Sequence, residues 1–225
     1  SVTFTNAAAS TTADAELSTM IERRRTYRKK FDDRAVSDEI INELVGAAAS
    51  EGAWLRPLQA DDLRREIAAL VSEGDSIQWD NDQWRRELAA WMHPRRRGDG
   101  LSLPTLAVPI AQWVVRTFDL GGGVAAKDQQ LAEGSPFLAV LGTDTDEPRN
   151  WLQTGQALQR VLLVGCRNGL QASYLNQPVQ VYALRSKLQH VVAGGFPQIL
   201  LRFGFPAENI PAAPRRNVDD VIENV

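Results

Sequence analysis

Cysteine is almost absent: Cys166 is the only one in 225 residues, so no internal disulfide can form. It sits in an apolar helical stretch and reads as a small core residue rather than a nucleophile. Histidine is nearly as scarce. His93 and His190 stand apart from any Cys, Asp or Glu at ligand spacing, which argues against a metal centre. No apolar run approaches the roughly 20 residues of a membrane span. No basic-then-apolar start marks a secretory signal, so a cytoplasmic protein is expected. The net charge of −3 provides no drive toward nucleic acid or an anionic membrane. No serine occupies a G-x-S-x-G elbow. The Gly121–Gly123 run follows no strand and lacks G-x-G-x-x-G spacing, so it reads as a mobile loop rather than a dinucleotide fingerprint.

What is present suits a globular protein with one sizeable core, at 44% hydrophobic and 24% charged residues. Its organising stretch is NWLQTGQALQRVLLVGCRNGLQASYLNQP, from Asn150 to Pro178. Leu152, Gly155, Leu158, Leu162, Gly165 and Gly169 recur at helical spacing. Between Ala157 and Cys166 the apolar residues spread nearly all round, which predicts a helix buried on most sides. Asp146 is its expected cap, with Pro148 in the first turn and Gly169 ending it in the left-handed conformation. Gly155 and Gly165 are read as close-packing positions, since each costs about 1 kcal/mol against alanine within a helix.

Taken in order, residues 1–12 form a loose arm rich in Ser, Thr, Ala and Asn. A helix begins at Asp14 and runs into ERRRTYRKKF, Glu22 to Phe31. Ser37 caps a second helix through Ala49, with Ile40, Ile41, Leu44, Val45 and Ala48 inward. Trp54–Gln59 is a short strand, and Asp61 or Asp62 caps a third helix, Leu63 to Glu73. Residues 79–134 are too long for a simple connection. They open with an amphipathic helix, Asp82 to Met92, whose stripe is Trp84, Leu88 and Trp91. The basic run Arg95–Arg97 and several Gly and Pro follow. This stretch is either a helical excursion packed on the core or a lid over a ligand. SPFLAVLGT (Ser135–Thr143) and FPQILLRFGF (Phe196–Phe205) read as central strands, with a helix Val179–Val192 between. No repeat or composition break divides the chain, so a single α+β domain over 1–225 is expected: helices flanking a sheet in three layers.

Two basic clusters remain: Arg23, Arg24, Arg25 and Arg28 with Thr26, and Arg215 with Arg216. Each is either a solvated face or a phosphate site, since arginine suits bidentate phosphate binding. If the fold brought the clusters together they would repel unless an anion lay between them.

The chain resembles the nitroreductase superfamily of FMN proteins, with its closest look to the Acg-like branch and there to the C-terminal portion. The motifs are R-R-T-x-R at Arg24 to Arg28, GQALQR…GLQASYLNQP from Gly155 to Pro178, PQILLRFGF from Pro197 to Phe205, and PRRNVDDV from Pro214 to Val221. In order and spacing they cover the chain from about residue 20 onward. The resemblance implies a three-layer α-β-α fold with a mixed, largely antiparallel sheet around a buried central helix, and FMN as cofactor. It implies Arg24, Arg25 and Thr26 at the flavin phosphate, Arg28 beside the N1–C2 carbonyl edge, and Arg215 and Arg216 closing on the phosphate. It further implies Tyr174 and Leu175 packed on the isoalloxazine, and backbone near Asn176 and Gln177 at N5. No side chain need act as nucleophile. Where the family carries an Asn-x-Gln-Pro-Trp-like segment, this chain reads SEGAWLRP, Ser50 to Pro57, which keeps only the tryptophan.

The implied activity is hydride transfer from NAD(P)H through flavin to a nitroaromatic, quinone or similar acceptor. The alternatives are a protein that holds FMN without turnover, and an interaction domain that has lost the cofactor. The implied partner is a second copy of the chain or a missing N-terminal half.

Overall fold

The computed structural model describes residues 11–94, 101–103, 106–117, 120–212 and positions 217, 219 and 222. Its elements run α1 (Thr12–Thr19), α2 (Asp38–Ala49), β1 (Trp54–Pro57), α3 (Asp61–Asp80), α4 (Asp82–Ala90), β2 (Met92–Pro94), β3 (Leu101–Leu103), α5 (Val108–Thr117) and α6 (Gly121–Glu133). They continue with β4 (Phe137–Thr143), α7 (Pro148–Arg167), β5 (Gln171–Tyr174), α8 (Gln177–Gln180), α9 (Tyr182–Val191) and β6 (Phe196–Gly204). The chain divides into two compact units. The first comprises Ser1–Gln59, Ser135–Tyr174 and Gly195–Ala207; the second comprises Ala60–Gly134, Leu175–Gly194 and Glu208–Val225.

In the first unit a four-stranded sheet has the order β1-β4-β6-β5, every pair antiparallel. Register is set by pairs such as Leu55↔Leu141, Phe137↔Phe203 and Tyr174↔Leu201. All seven residues of β4 are buried, as its unbroken apolar run predicts for a central strand. Helices α2 and α7 pack on each other; α2 lies on β1, and α7 lies on β4, β5 and β6. Their core joins Leu44 and Ala48 of α2 to Ala157, Val161 and Leu162 of α7 and to Leu141, Leu201 and Phe203 of the sheet.

The cap of α7 is Glu147, not Asp146. Glu147 and Asn150 form a capping box, the Asn150 side chain accepting from Glu147 N at 3.2 Å. Asp146 instead accepts the Trp151 indole N–H at 2.7 Å and the Gln198 amide at 2.9 Å. The helix is buried without a break only from Val161 to Cys166; Trp151, Leu152, Gly155 and Gln156 of its first half are exposed. Gly155 has nothing near its Cα face, so close packing is not its role, whereas Gly165 sits against Leu44 and Phe203. Gly169 ends the helix at φ +79. Leu170 N–H donates to Gly165 O at 2.8 Å and Gly169 N–H to Cys166 O at 3.0 Å, the Schellman pattern.

Elsewhere in this unit Thr11 caps α1 by accepting from Asp14 N, and α1 stops at Thr19. Beyond it the chain makes a turn, with Arg23 and Arg24 N–H donating to Met20 O at 3.1 and 2.9 Å, and then bridges the sheet at Thr26 instead of continuing as a helix. Ser37 caps α2 as expected.

The second unit is mostly helical. Helix α3 is longer than the sequence pattern indicates and starts after Ala60 without a side-chain cap; Asp61 and Asp62 lie in its first turn. It packs on α6, α8 and α9. Trp79, Ala89 and Val115 form a small core, with Trp84 edge-on to Trp79 at 5.3 Å between ring centroids. Gly121–Gly123 is not a loop but the first turn of α6, a helix held along α3 with Ala125 and Ala132 buried. The segment expected as one helix over Val179–Val192 is two, α8 and α9, separated at the extended Val181. Strands β2 and β3 pair in parallel; Arg95–Arg97 lies outside the described residues. No helix among the described residues is long and apolar enough to cross a membrane.

Candidate functional site

The basic segment after α1 is strapped to the edge of the sheet. Thr26 forms a parallel bridge with Ala172 of β5, and Tyr27 N–H donates to Ala172 O at 2.9 Å. Arg25 N–H donates to the Gln171 side chain at 2.7 Å. Phe31 bridges Pro206, and Asp32 N–H donates to Phe205 O at 2.9 Å. Tyr27 is fully buried and stacks on Phe31 with centroids 5.1 Å apart. In an extended chain neighbouring side chains alternate faces. Anchoring Tyr27 in the core therefore turns Thr26 and Arg28 to the other side.

A buried cation completes the strap. Arg202, near the end of β6, is 1% exposed. Its Nη2 donates to Tyr27 O at 3.1 Å and Lys29 O at 3.0 Å, the carbonyls on either side of Arg28. The guanidinium also lies over the Phe31 ring, 4.7 Å from its centroid. Backbone carbonyls with no strand beside them are satisfied in this way by a side chain. The motif reading missed Arg202. Its signal was present: an arginine inside the otherwise apolar strand ILLRFGF must find acceptors wherever it is buried.

Arg24, Arg28 and Tyr174 share one neighbourhood in this unit. Burial pushes the Tyr174 phenol upward, and the charges of Arg24 and then Arg28 pull it back. Arg24 Nε is buried without a hydrogen-bond acceptor. Among the described residues no carboxylate pairs with Arg24 or Arg28. A buried guanidinium N–H with no acceptor, beside a second cation, is a site that an anion satisfies. Arg25 is different. Its guanidinium turns back onto the carbonyls of Glu22 and Arg24. Arg215 and Arg216 lie outside the described residues.

Leu175, Asn176 and Gln177 belong to the second unit. Leu175 is 2% exposed, whereas Tyr174 keeps accessible surface. The Asn176 carbonyl accepts from Val179 and Gln180 N–H at 2.9 Å each. The Gln177 side chain points inward, its Nε2 donating to Asp75 Oδ1 at 3.0 Å and Asp128 Oδ2 at 2.8 Å. Sequence patterning gives no hint of this triad, since its members come from three helices.

The fold is that of nitroreductases. A nitroreductase of Bacteroides fragilis, crystallised with bound FMN, superposes with a TM-score of 0.57 over 93% of this chain and 98% of that one, at 12% identity. In sequence, a candidate NAD(P)H nitroreductase of Mycobacterium tuberculosis is 30% identical over 220 residues, covering 94% of this chain and 62% of the relative. The Acg protein of the same organism, also named as a candidate NAD(P)H nitroreductase, is 27% identical over 205 residues, or 88% of this chain and 61% of that one. No protein-family model matches. Fold and sequence together make the chain similar to the nitroreductase superfamily and, within it, to the Acg-like proteins. The chain spans less than two thirds of the length of these sequence relatives.

Proposed function

We propose that this chain binds FMN and serves as an NAD(P)H oxidoreductase of the nitroreductase kind, with a nitroaromatic, a quinone or a similar electron-poor molecule as acceptor. The observation that carries the reading is the acceptor-less, buried Arg24 Nε beside Arg28 and Tyr174. FMN brings to such a site a phosphate that needs several donors. The names of the sequence relatives and the FMN in the Bacteroides fragilis structure support the same assignment.

Bound FMN would supply the hydride chemistry, so no nucleophilic side chain is required. Arg24 and the Thr26 hydroxyl would hold the phosphate, with Arg25 supporting the turn through its own carbonyl contacts and Arg215 and Arg216 closing from the C-terminal side. Arg28 would lie at the N1–C2 carbonyl edge, where a fixed cation favours the negative charge of a reduced ring. Tyr174 and Leu175 would pack on the ring. The Gln177 side chain is engaged by Asp75 and Asp128, and the backbone near Asn176 and Gln177 would reach N5.

The proposed partner is a second copy of the chain or the other half of a longer protein. Its support lies on α7, where exposed Leu152 lines a groove of about 610 Å³ together with the apolar Leu17, Ile21 and Leu163 and the charged Asp14, Glu51 and Arg160. Absorbance of the purified protein, before and after NAD(P)H is added without oxygen, tests the function. A yellow protein that bleaches supports it. One that stays yellow is a flavin holder, and one that is colourless and cannot be reconstituted with FMN overturns the assignment.

A further inference from the structure

We infer that Asp75 and Asp128 position the segment Leu175–Gln180 through Gln177, in a latch that stays closed while Asp75 keeps a proton and loosens when the proton leaves. The latch lies wholly within the second unit. Asp75 comes from α3, Asp128 from α6 and Gln177 from the first residue of α8. One amide nitrogen serves both carboxyl groups, at 3.0 and 2.8 Å. An amide NH₂ has two hydrogens, so both are used. What remains is two acceptors without a donor: Asp75 Oδ2 and Gln177 Oε1 are both buried and unpartnered.

That arrangement does not suit two ionised carboxylates. Asp75 is 3% exposed, and a buried charge lacking donors is costly. A proton on Asp75 removes one of two like charges and turns its orphan oxygen into a donor. Burial raises the Asp75 carboxyl most; the Gln177 hydrogen bond lowers it, and the Asp128 charge raises it again, leaving it at about 6. Because the two carboxyls interact, the titration belongs to the pair. Among the described residues the charge that acts on Asp75 is that of Asp128. Of the cations on the packed elements, Lys187 of α9 is held by Glu73 at 2.9 Å, Arg185 of α9 is engaged, Arg85 of α4 is held by Asp82, and Lys127 of α6 is exposed.

The close fit of α8 on α3 makes the latch sensitive. Gly74, next to Asp75, lies against Gln177 so tightly that a Cβ there would come within 2.7 Å of Gln177 Cβ. The second tie, Gln78 Nε2 to Gln180 Oε1 at 2.8 Å, carries no titratable group. Of these two ties between α3 and α8, the one at Asp75 therefore carries the group that responds to pH near neutrality. The segment it holds is the one assigned above to the flavin N5 edge. A consequence for flavin rests on that assignment, but the latch does not.

The sign follows from the raised carboxyl. Below the ordinary Asp value of 3.8 the folded and unfolded chains both hold the proton. Between there and about 6 only the folded chain holds it. Stability therefore falls through that interval, by up to about tenfold in the folding equilibrium per pH unit, and levels off above it.

The test compares wild type with Asp75→Asn by urea unfolding from pH 4.5 to pH 8, and by amide hydrogen exchange of residues 175–180 at pH 5.5 and pH 8, corrected for intrinsic rates. Both are run with and without added FMN, so a chain that binds no flavin still decides the latch. The expected result is that wild type loses stability relative to Asp75→Asn as pH rises, and that its 175–180 amides lose protection at pH 8 while the variant keeps them. Parallel pH curves, or equal protection at both pH values in wild type, would overturn the latch. Should Asp75→Asn fail to fold, Asp128→Asn must move the wild-type inflection to lower pH; an unmoved inflection also overturns it.

Discussion

Arg202 Nη2 donates to the backbone carbonyl of Tyr27 at 3.1 Å, inside the first unit and out of contact with solvent. Its second acceptor, Lys29 O, lies two residues further along, so one guanidinium fixes the backbone on both sides of Arg28. Arg202→Met should leave both carbonyls without this donor. The expected loss is on the order of 2 kcal/mol or more, at 1–3 kcal/mol for each orphaned acceptor. Urea unfolding measures it, and an unchanged midpoint would remove the clamp. Arg202→Lys should recover only part of the loss, because an ammonium lacks the planar fork.

Arg24→Ala should weaken FMN binding more than riboflavin binding, since the two flavins differ by the phosphate. One charge-assisted hydrogen bond is worth about 1.5–3 kcal/mol, or roughly tenfold to a hundredfold in affinity. Flavin fluorescence titration at two salt concentrations gives the comparison. An equal loss for both flavins would place Arg24 away from the phosphate.

Leu152 is 74% exposed on α7, beside the groove toward α1. If a second copy covers that face, the chain should sediment as a dimer at micromolar concentration, and Leu152→Lys should shift it toward monomer. A wild-type monomer that nonetheless holds FMN would exclude the second copy.

Glu43 joins α2 to the end of α7, accepting from Asn168 Nδ2 at 2.9 Å and Arg167 Nη2 at 2.7 Å. These two contacts, Asn168 first, hold its carboxyl below the usual 4.5. A lowered carboxyl contributes stability above its ordinary value and loses it as pH falls through the folded one. Glu43→Gln should therefore cost stability at pH 7 and cost nothing below the folded value. Being largely exposed, the pair is worth less than about 1 kcal/mol. Thermal melts of both proteins at a series of pH values from 7 downward should show the difference shrink as pH falls; a difference that does not change with pH would contradict the ion pair.

Strong local signals were legible in the chain itself. The run FLAVLGT could only be a buried strand, Ser37 could cap α2, and Gly169 could take the positive φ that closes α7. Each depends on a few consecutive residues and on rules of backbone geometry. Local rules also misplaced some features. Gly121–Gly123 has the composition of a loop, yet packing against α3 makes it helical. Asp146 and Glu147 both suit a helix cap, and the indole of Trp151 with the amide of Gln198 decides between them by occupying Asp146.

The arginines near the start of the chain were visible as a motif, but their chemistry was not. Whether Arg24 meets an acid, an anion or solvent depends on what lies across the sheet edge, and only the fold brings Tyr174 there and leaves Arg24 Nε without an acceptor. Arg202 and Tyr27 are 175 positions apart, and Asp75 and Gln177 are 102 apart. The sequence by itself determined the central strands, the cap of α2, the close of α7 and the family likeness. Tertiary structure alone decided which buried polar groups would share a partner, because a hydrogen bond requires two atoms within about 3 Å and no spacing along the chain encodes that distance.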